Sequence, residues 1–215
     1  MNHPPFSVNK ELQGWTLFWA KLQRLPDQDE ALAALRADVV MRTRARATLE
    51  TLAGLPAVAA LRKLFKAAGT DPLRYRPSSE ALLRRILKGD ELPAISPLVD
   101  INNCLSAELA VPCCVMAEGS FEPPMTFRAG QAGESYESLK GPFNLEGKPL
   151  LLDALGPLDA PITGSQRAKV TPVTQSAWLV AYLPEEAVSP EAASEALLRL
   201  VAAAPVVSVF DISAS

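Results

Sequence analysis

Apolar positions recur at helical spacing through much of the first half of the chain, then give way to short apolar runs broken by Gly and Pro. The run DQDEALAALRADVVMRTRARATLETL, from Asp27 to Leu52, carries acids in its first turn and arginines in its middle, which predicts one long amphipathic helix. Gly54 and Pro56 punctuate it, and PAVAALRKLFKAAG restarts a shorter helix with Pro56 in the first turn and Gly69 as its stop. An earlier helix is expected around Trp15, Phe18 and Trp19, aromatics that read either as core or as a stacking surface for a ligand. The words TDPLRYRPSSEALLRRILKGDELP begin extended and turn helical at Ser78 or Ser79, residues suited to N-capping, with Leu82, Leu83, Ile86 and Leu87 as the buried face. From Pro97 to Leu109 the positions Leu98, Ile101, Leu105 and Leu109 predict another helix, with Asp100, Asn102 and Asn103 on its other sides.

Beyond residue 110 the runs VPCCVMA, MTFRAG, KPLLLD, SAWLVAYL and VVSVFDI predict short strands. One last helix, SPEAASEALLRLVAAA, is announced by Ser189 as N-cap and Pro190 behind it. Helices first and strands later, without repeated strand-helix alternation, predict an α+β fold rather than a doubly wound sheet. No glycine-rich phosphate loop, internal repeat or membrane-length apolar run interrupts the pattern, and the N-terminal residues lack the regions of a signal peptide, so the expected compartment is the cytoplasm.

Composition narrows the chemistry. His3 is the one histidine and lies among prolines near the N-terminus, which leaves no imidazole for a catalytic triad, a general base or a metal cluster. Cys104, Cys113 and Cys114 are odd in number and lack CxxC spacing, so no zinc site or disulfide framework is expected; they read as small hydrophobes, a reactive or site-lining set, or, for the adjacent pair, a strained bridge. No cofactor or metal is expected. Net charge is −3, yet residues 1–90 hold 15 Lys and Arg against 9 Asp and Glu, while residues 91–215 hold 6 against 15. The basic half reads as a surface for a polyanion or as solvated helix faces, and Arg74, Arg76, Arg84 and Arg85 offer planar donors suited to phosphate.

The stretch SPLVDINNCLSAELAVPCC places two carboxamides, a carboxylate and two thiols amid apolar surface. Carboxamides withdrawn from solvent must bond to neighbouring backbone, to a ligand or to water. Either loop-fixing or ligand contact satisfies them.

In order along the chain, GTDPLRYRPSSEALLRRILKGDELPAISPLVDINN, LSAELAVP, KPLLLDALGPLDAPITGSQ and RAKVTPVTQSAWLVAYL resemble the B3/B4 domain family. That family comprises the tRNA-binding and editing module of the bacterial phenylalanyl-tRNA synthetase beta subunit and its free-standing relatives. The resemblance spans approximately residues 55–210. It implies a three-layer α+β domain with a mainly antiparallel, sandwich-like sheet core, here at residues 55–215, with residues 1–54 as an N-terminal helical extension packed on it. In the synthetase this domain acts as a second sieve, hydrolysing tyrosine wrongly attached to tRNA for phenylalanine; counterparts of the synthetase's catalytic and anticodon parts are not found in this sequence.

Carried over residue by residue, the resemblance implies a pocket at Asn102, Asn103, Cys113, Cys114, Asp153, Thr163, Gly164 and Gln166. Pro112 matches a family proline, but Cys114 stands where the family has a pocket histidine, and Met116 and Ala117 replace a following aromatic and aspartate. The implied RNA face comprises Arg62, Lys63, Arg74, Arg76, Arg84 and Arg85. The expected function is recognition of aminoacyl-tRNA with trans-editing hydrolysis of a mischarged ester, and the alternatives are a non-catalytic module for tRNA or an amino-acid-like ligand, or a structural interaction protein. tRNA, and not DNA or a membrane, is the expected partner. Hydrolysis would use a water positioned by Asn102, Asn103 or backbone groups, with a Cys114 nucleophile or a Glu108 base as rival routes.

Overall fold

The computed structural model of the protein describes residues 3–26 and 29–215. Two short segments precede the helices: β1 (Val8–Lys10) and β2 (Trp15–Arg24). Helices α1 (Asp29–Arg46), α2 (Pro56–Ala67), α3 (Ser78–Leu87) and α4 (Pro97–Leu109) follow. Then come β3 (Cys113–Ala117), β4 (Met125–Ala129), β5 (Ser135–Ser138), β6 (Gly141–Asn144), β7 (Pro149–Asp153), β8 (Gly156–Ala160), β9 (Thr163–Gly164) and β10 (Ser176–Pro184). Helix α5 (Pro190–Ala203) and β11 (Val207–Ala214) complete the chain. The class is α+β, as the sequence pattern predicts.

Strands β11, β2, β10 and β3 form one sheet in that order, antiparallel throughout. Strands β1, β4, β7, β8 and β9 form a second, antiparallel except for the parallel β1–β4 pair, and β5–β6 is a separate hairpin. Helices α4 and α5 lie on the first sheet, and α1 packs against both of them. The opposite face of that sheet meets the second sheet through aromatic rings: Phe127 of β4 lies 5.5 Å from Trp15 of β2 and 5.5 Å from Tyr182 of β10. Such centroid distances are those of attractive ring pairs in a packed core. Helices, first sheet and second sheet thus make three layers.

Trp15, Phe18 and Trp19 lie on β2, not on a helix, which corrects the sequence expectation. The strand WTLFWAKLQR is sandwiched between the helix layer and the second sheet, so its residues are buried on both sides and the alternation that marks a half-exposed strand is absent. Among the described residues of 1–54, helix is confined to α1 and a short 3-10 turn at Leu52–Gly54, while β2 is an inner strand of the first sheet.

Local boundaries also moved for identifiable reasons. Helix α1 ends at Arg46, short of the expected Leu52, where Thr48 and Thr51 exchange hydrogen bonds between hydroxyls and backbone amides (2.9 and 3.4 Å) that compete with helix continuation. Asp27 and Gln28 lie outside the described residues. Helix α3 starts at Ser78 without a side-chain cap; the Ser78 amide donates instead to the Pro161 carbonyl at 2.9 Å, so a distant loop does the capping. Among the described residues, no helix is long and apolar enough to cross a membrane.

Phe127 joins the two sheets, so Phe127→Ala should cost about 3–5 kcal/mol in urea unfolding; a loss under about 1 kcal/mol would show that the sheets are held together elsewhere.

Candidate functional site

Helix α4 is anchored before it presents anything. Ser96 caps it by accepting from the Val99 amide, and Pro97 occupies the first turn. Buried Asp100 accepts from the Ile95 and Ser96 amides at 2.9 and 3.3 Å and pairs with Arg36 of α1 at 2.6 Å. One carboxylate thereby fixes the incoming loop and the neighbouring helix together. On this rigid element Asn102 is 6% exposed; its Nδ2 makes long contacts of 3.5 Å to the Cys113 carbonyl and to Asn103 Oδ1, and its own Oδ1 has no partner.

Strand β3 lies next to α4. Because side chains alternate along a strand, Cys113 and Cys114 point to opposite faces, which excludes the strained bridge between them, and all three cysteines are free thiols. Cys114 pairs with Val180 and shares the face of Tyr182, toward the second sheet. The Cys113 thiol turns back to the Val111 carbonyl. Both thiols are partly exposed, yet that exposure is only to a recess, and enclosure by protein pushes their ionisation well above the ordinary thiol range. Asp159 adds to the effect at Cys114.

The recess has a volume of about 490 Å³ and lies between α4, β3, the β8–β9 turn and the loop after β5. Its floor is Asp159 of β8, 1% exposed, whose Oδ2 accepts from the Tyr182 hydroxyl at 2.5 Å while Oδ1 has no hydrogen-bond partner. Burial pushes the Asp159 carboxyl up to about 7, against the lowering influence of the Tyr182 hydroxyl, the Cys114 thiol and the Ala160 amide. Gly164 leaves room beside it: a Cβ added there would sit 3.7 Å from Asp159 Oδ1 and 4.0 Å from Cys114 Sγ. The Tyr136 hydroxyl donates to the Thr163 carbonyl and holds that turn in place. Val99, Val115, Pro161 and Val170 supply apolar walls, Ile95 and Leu139 expose apolar surface at the edge, and the exposed cations Arg85, Lys140 and Lys169 stand around the opening.

Of the pocket residues expected from sequence, Asn102, Asn103, Cys113, Cys114, Thr163 and Gly164 line this recess. Asp153 and Gln166 do not. Asp153 takes a two-pronged ion pair from Arg167 at 2.8 and 2.9 Å and accepts from the Glu122 and Leu155 amides, a structural knot at the end of β7. Gln166 is exposed, its amide 3.5 Å from the Ser138 carbonyl. Glu108 lies outside the recess, held by Arg42 and Arg199 at 3.2 and 2.9 Å.

The basic residues divide. Arg62 binds the fully buried Glu80 through two bonds of 2.9 and 2.6 Å, Arg76 approaches the same carboxylate at 3.9 Å, and Lys63 pairs with Glu186 at 3.3 Å. Arg74 stacks over Tyr75 at 5.1 Å. Arg84 is partly exposed, and Arg85 reaches the recess. Asp159 and Tyr182 were missed by sequence reasoning, although an acid inside the apolar strand GPLDA was a legible signal.

Compared with known proteins, residues 60–201 match the family model of the B3/4 domain. No curated protein matches the sequence. Among solved structures the fold is similar to an N-terminal fragment of the phenylalanyl-tRNA synthetase beta-subunit from Pyrococcus horikoshii, with a TM-score of 0.48 and 15% identity over 97% of this chain and 51% of that one. The chain therefore spans about half the length of that fragment.

Asp159 binds its proton more tightly folded than unfolded, so its contribution to stability falls as pH rises from about 4 through about 7. Asp159→Asn, which can keep the Tyr182 contact, should therefore raise the melting temperature more at pH 8 than at pH 4, at roughly 2–4 °C per kcal/mol for a domain of this size. Equal shifts at both pH values would mean that the carboxyl ionises at its ordinary value.

Proposed function

Because this chain belongs to the B3/4 domain family, we propose that it recognises aminoacyl-tRNA and hydrolyses a mischarged ester in trans. The observation that carries this reading is the polarity of the recess: cations Arg85, Lys140 and Lys169 around the opening, and buried acceptors Asn102 and Asp159 inside. A polyanionic backbone is attracted to the rim, while the aminoacyl group enters a space of about 490 Å³. The compartment in this reading is the cytoplasm, and the partner is tRNA.

The chemistry asked of the protein is modest, since an aminoacyl ester is already activated and a held water in a preorganised polar site supplies much of the acceleration. In this reading Asn103 and the backbone of the Thr163–Gly164 turn, which line the recess, hold such a water against the carbonyl. Covalent catalysis by Cys114 is disfavoured, because burial and Asp159 both oppose the thiolate it would need. The suppressed Cys114 thiolate favours one second reading, a module that binds charged tRNA without turning it over.

Release of amino acid from a panel of charged tRNAs decides between them. Hydrolysis faster than the uncatalysed reaction is expected with at least one tRNA, and Cys114→Ser should retain most of it; binding without acceleration on any tRNA would leave the non-catalytic module. An acyl adduct trapped on Cys114 would replace the held water with covalent catalysis. Binding should weaken steeply with salt, and replacing Arg84 and Arg85 together by Ala should lower the salt slope by about 1–2; an unchanged slope would move the RNA face elsewhere.

A further inference from the structure

Four acids are buried among the described residues: Glu80, Asp100, Asp153 and Asp159. Three have an arginine partner, Arg62, Arg36 and Arg167 respectively. Asp159 has none, and its Oδ1 is one of two unpartnered buried oxygens that line the same recess, the other being Asn102 Oδ1. A buried carboxylate without a cation is costly, and so is a buried acceptor without a donor. Both costs are removed by one kind of occupant, a group with several N–H donors and a positive charge.

We propose that the floor of the recess is a binding site for a ligand's primary ammonium group, held by Asp159 Oδ1 and Asn102 Oδ1, with the ligand's apolar body against Val99, Val115 and Val170. This deepens the reading of the recess as the aminoacyl site and rests on it. Three protein features support it besides the unpaired oxygens. Gly164 keeps the space beside Asp159 Oδ1 free of a side chain. Tyr182 occupies only the other carboxylate oxygen, Oδ2. The exposed cations Arg85, Lys140 and Lys169 sit at the opening, where they favour an orientation with the ligand's anionic part outward.

The groups facing Asp159 are the Tyr182 hydroxyl of β10, the Cys114 thiol of β3 and Tyr136 of β5, and burial raises all three, so each stays protonated near neutrality. Asp159 is then the group in this cluster that changes charge between pH 5 and 8. Ammonium binding should strengthen over that range, because the carboxylate form is the one that pairs with the cation.

The test uses the full chain and calorimetric titration at pH 8 with 2-phenylethylamine, against the uncharged 3-phenylpropanol. The amine should bind at least tenfold more tightly than the alcohol. Asp159→Asn should abolish that preference. Gly164→Ala, whose new methyl group would lie beside Oδ1, should weaken the amine with melting temperature maintained. Leucinamide and Nα-acetyl-lysinamide, an α-amine and a chain-end amine, distinguish the two sources of the group. The inference is overturned if neither is bound, if amine and alcohol bind equally, or if folded Asp159→Asn retains the parent's preference. Charged tRNA is measured in parallel: tRNA bound with no amine affinity sinks this inference alone, whereas amine affinity without tRNA binding sinks the tRNA reading and leaves the ammonium site standing.

Discussion

The pairing of β2 with β10 is the constraint on which the rest of this structure depends. Nine residue pairs, from Trp15↔Pro184 to Gln23↔Ser176, hold two strands in the middle of the first sheet. Both faces are covered, so a shift by one residue would exchange the side chains that meet the helices with those that meet the second sheet. The register places Leu17 opposite Tyr182 and Trp19 opposite Val180; β3, paired on the far edge of β10, then places Cys114 beside Val180. Tyr182 reaches Phe127 on one side and Asp159 on the other, so the same strand supports the core and the floor of the recess.

Polar burial is handled in two different ways. At Asp100, Glu80 and Asp153 a buried carboxylate meets an arginine and serves as a clamp between segments distant in sequence: α4 to α1, α3 to α2, and the end of β7 to the segment preceding β10. At Asp159 the carboxylate is buried with a hydroxyl and a thiol beside it but no cation. Leaving a buried oxygen unpaired costs about 1–3 kcal/mol, and native proteins carry few such groups. Two of them in one recess, on a strand and a helix held rigid by clamps elsewhere, is the arrangement expected of a preformed site rather than of a packing defect.

The thiols show why a residue's position and its chemistry must be judged separately. Cys114 lines the recess as the family resemblance implies, but the environment that encloses it is apolar and acidic, and both properties suppress the thiolate. A cysteine there fills space beside Asp159. Arginine neighbours that would have activated it are engaged elsewhere or stand at the opening, on the solvent side of the recess.

Helices α2, α3, α4 and α5 were legible in the sequence because each has one apolar face, to which α2 and α5 add a local start signal in Pro56 and the Ser189-Pro190 pair, and such periodicity is a property of the segment itself. The later strands β3, β4, β7, β10 and β11 were legible as short apolar runs between turn residues, and six lining residues of the recess followed from the family resemblance. Strand β2 was not legible, because burial on two faces erases the alternation by which a strand is recognised. Nor was the separation of Asp153 from Asp159, two acids six residues apart in one word of sequence: a reversal at Gly156 takes one to a salt bridge with Arg167 and turns the other inward to Tyr182. The sequence by itself determined which segments are amphipathic, that His3 is the one histidine, and the fold class. Only the tertiary structure decided which buried acid lacks a cation, because an ion pair depends on where two distant segments meet, and that no local pattern encodes.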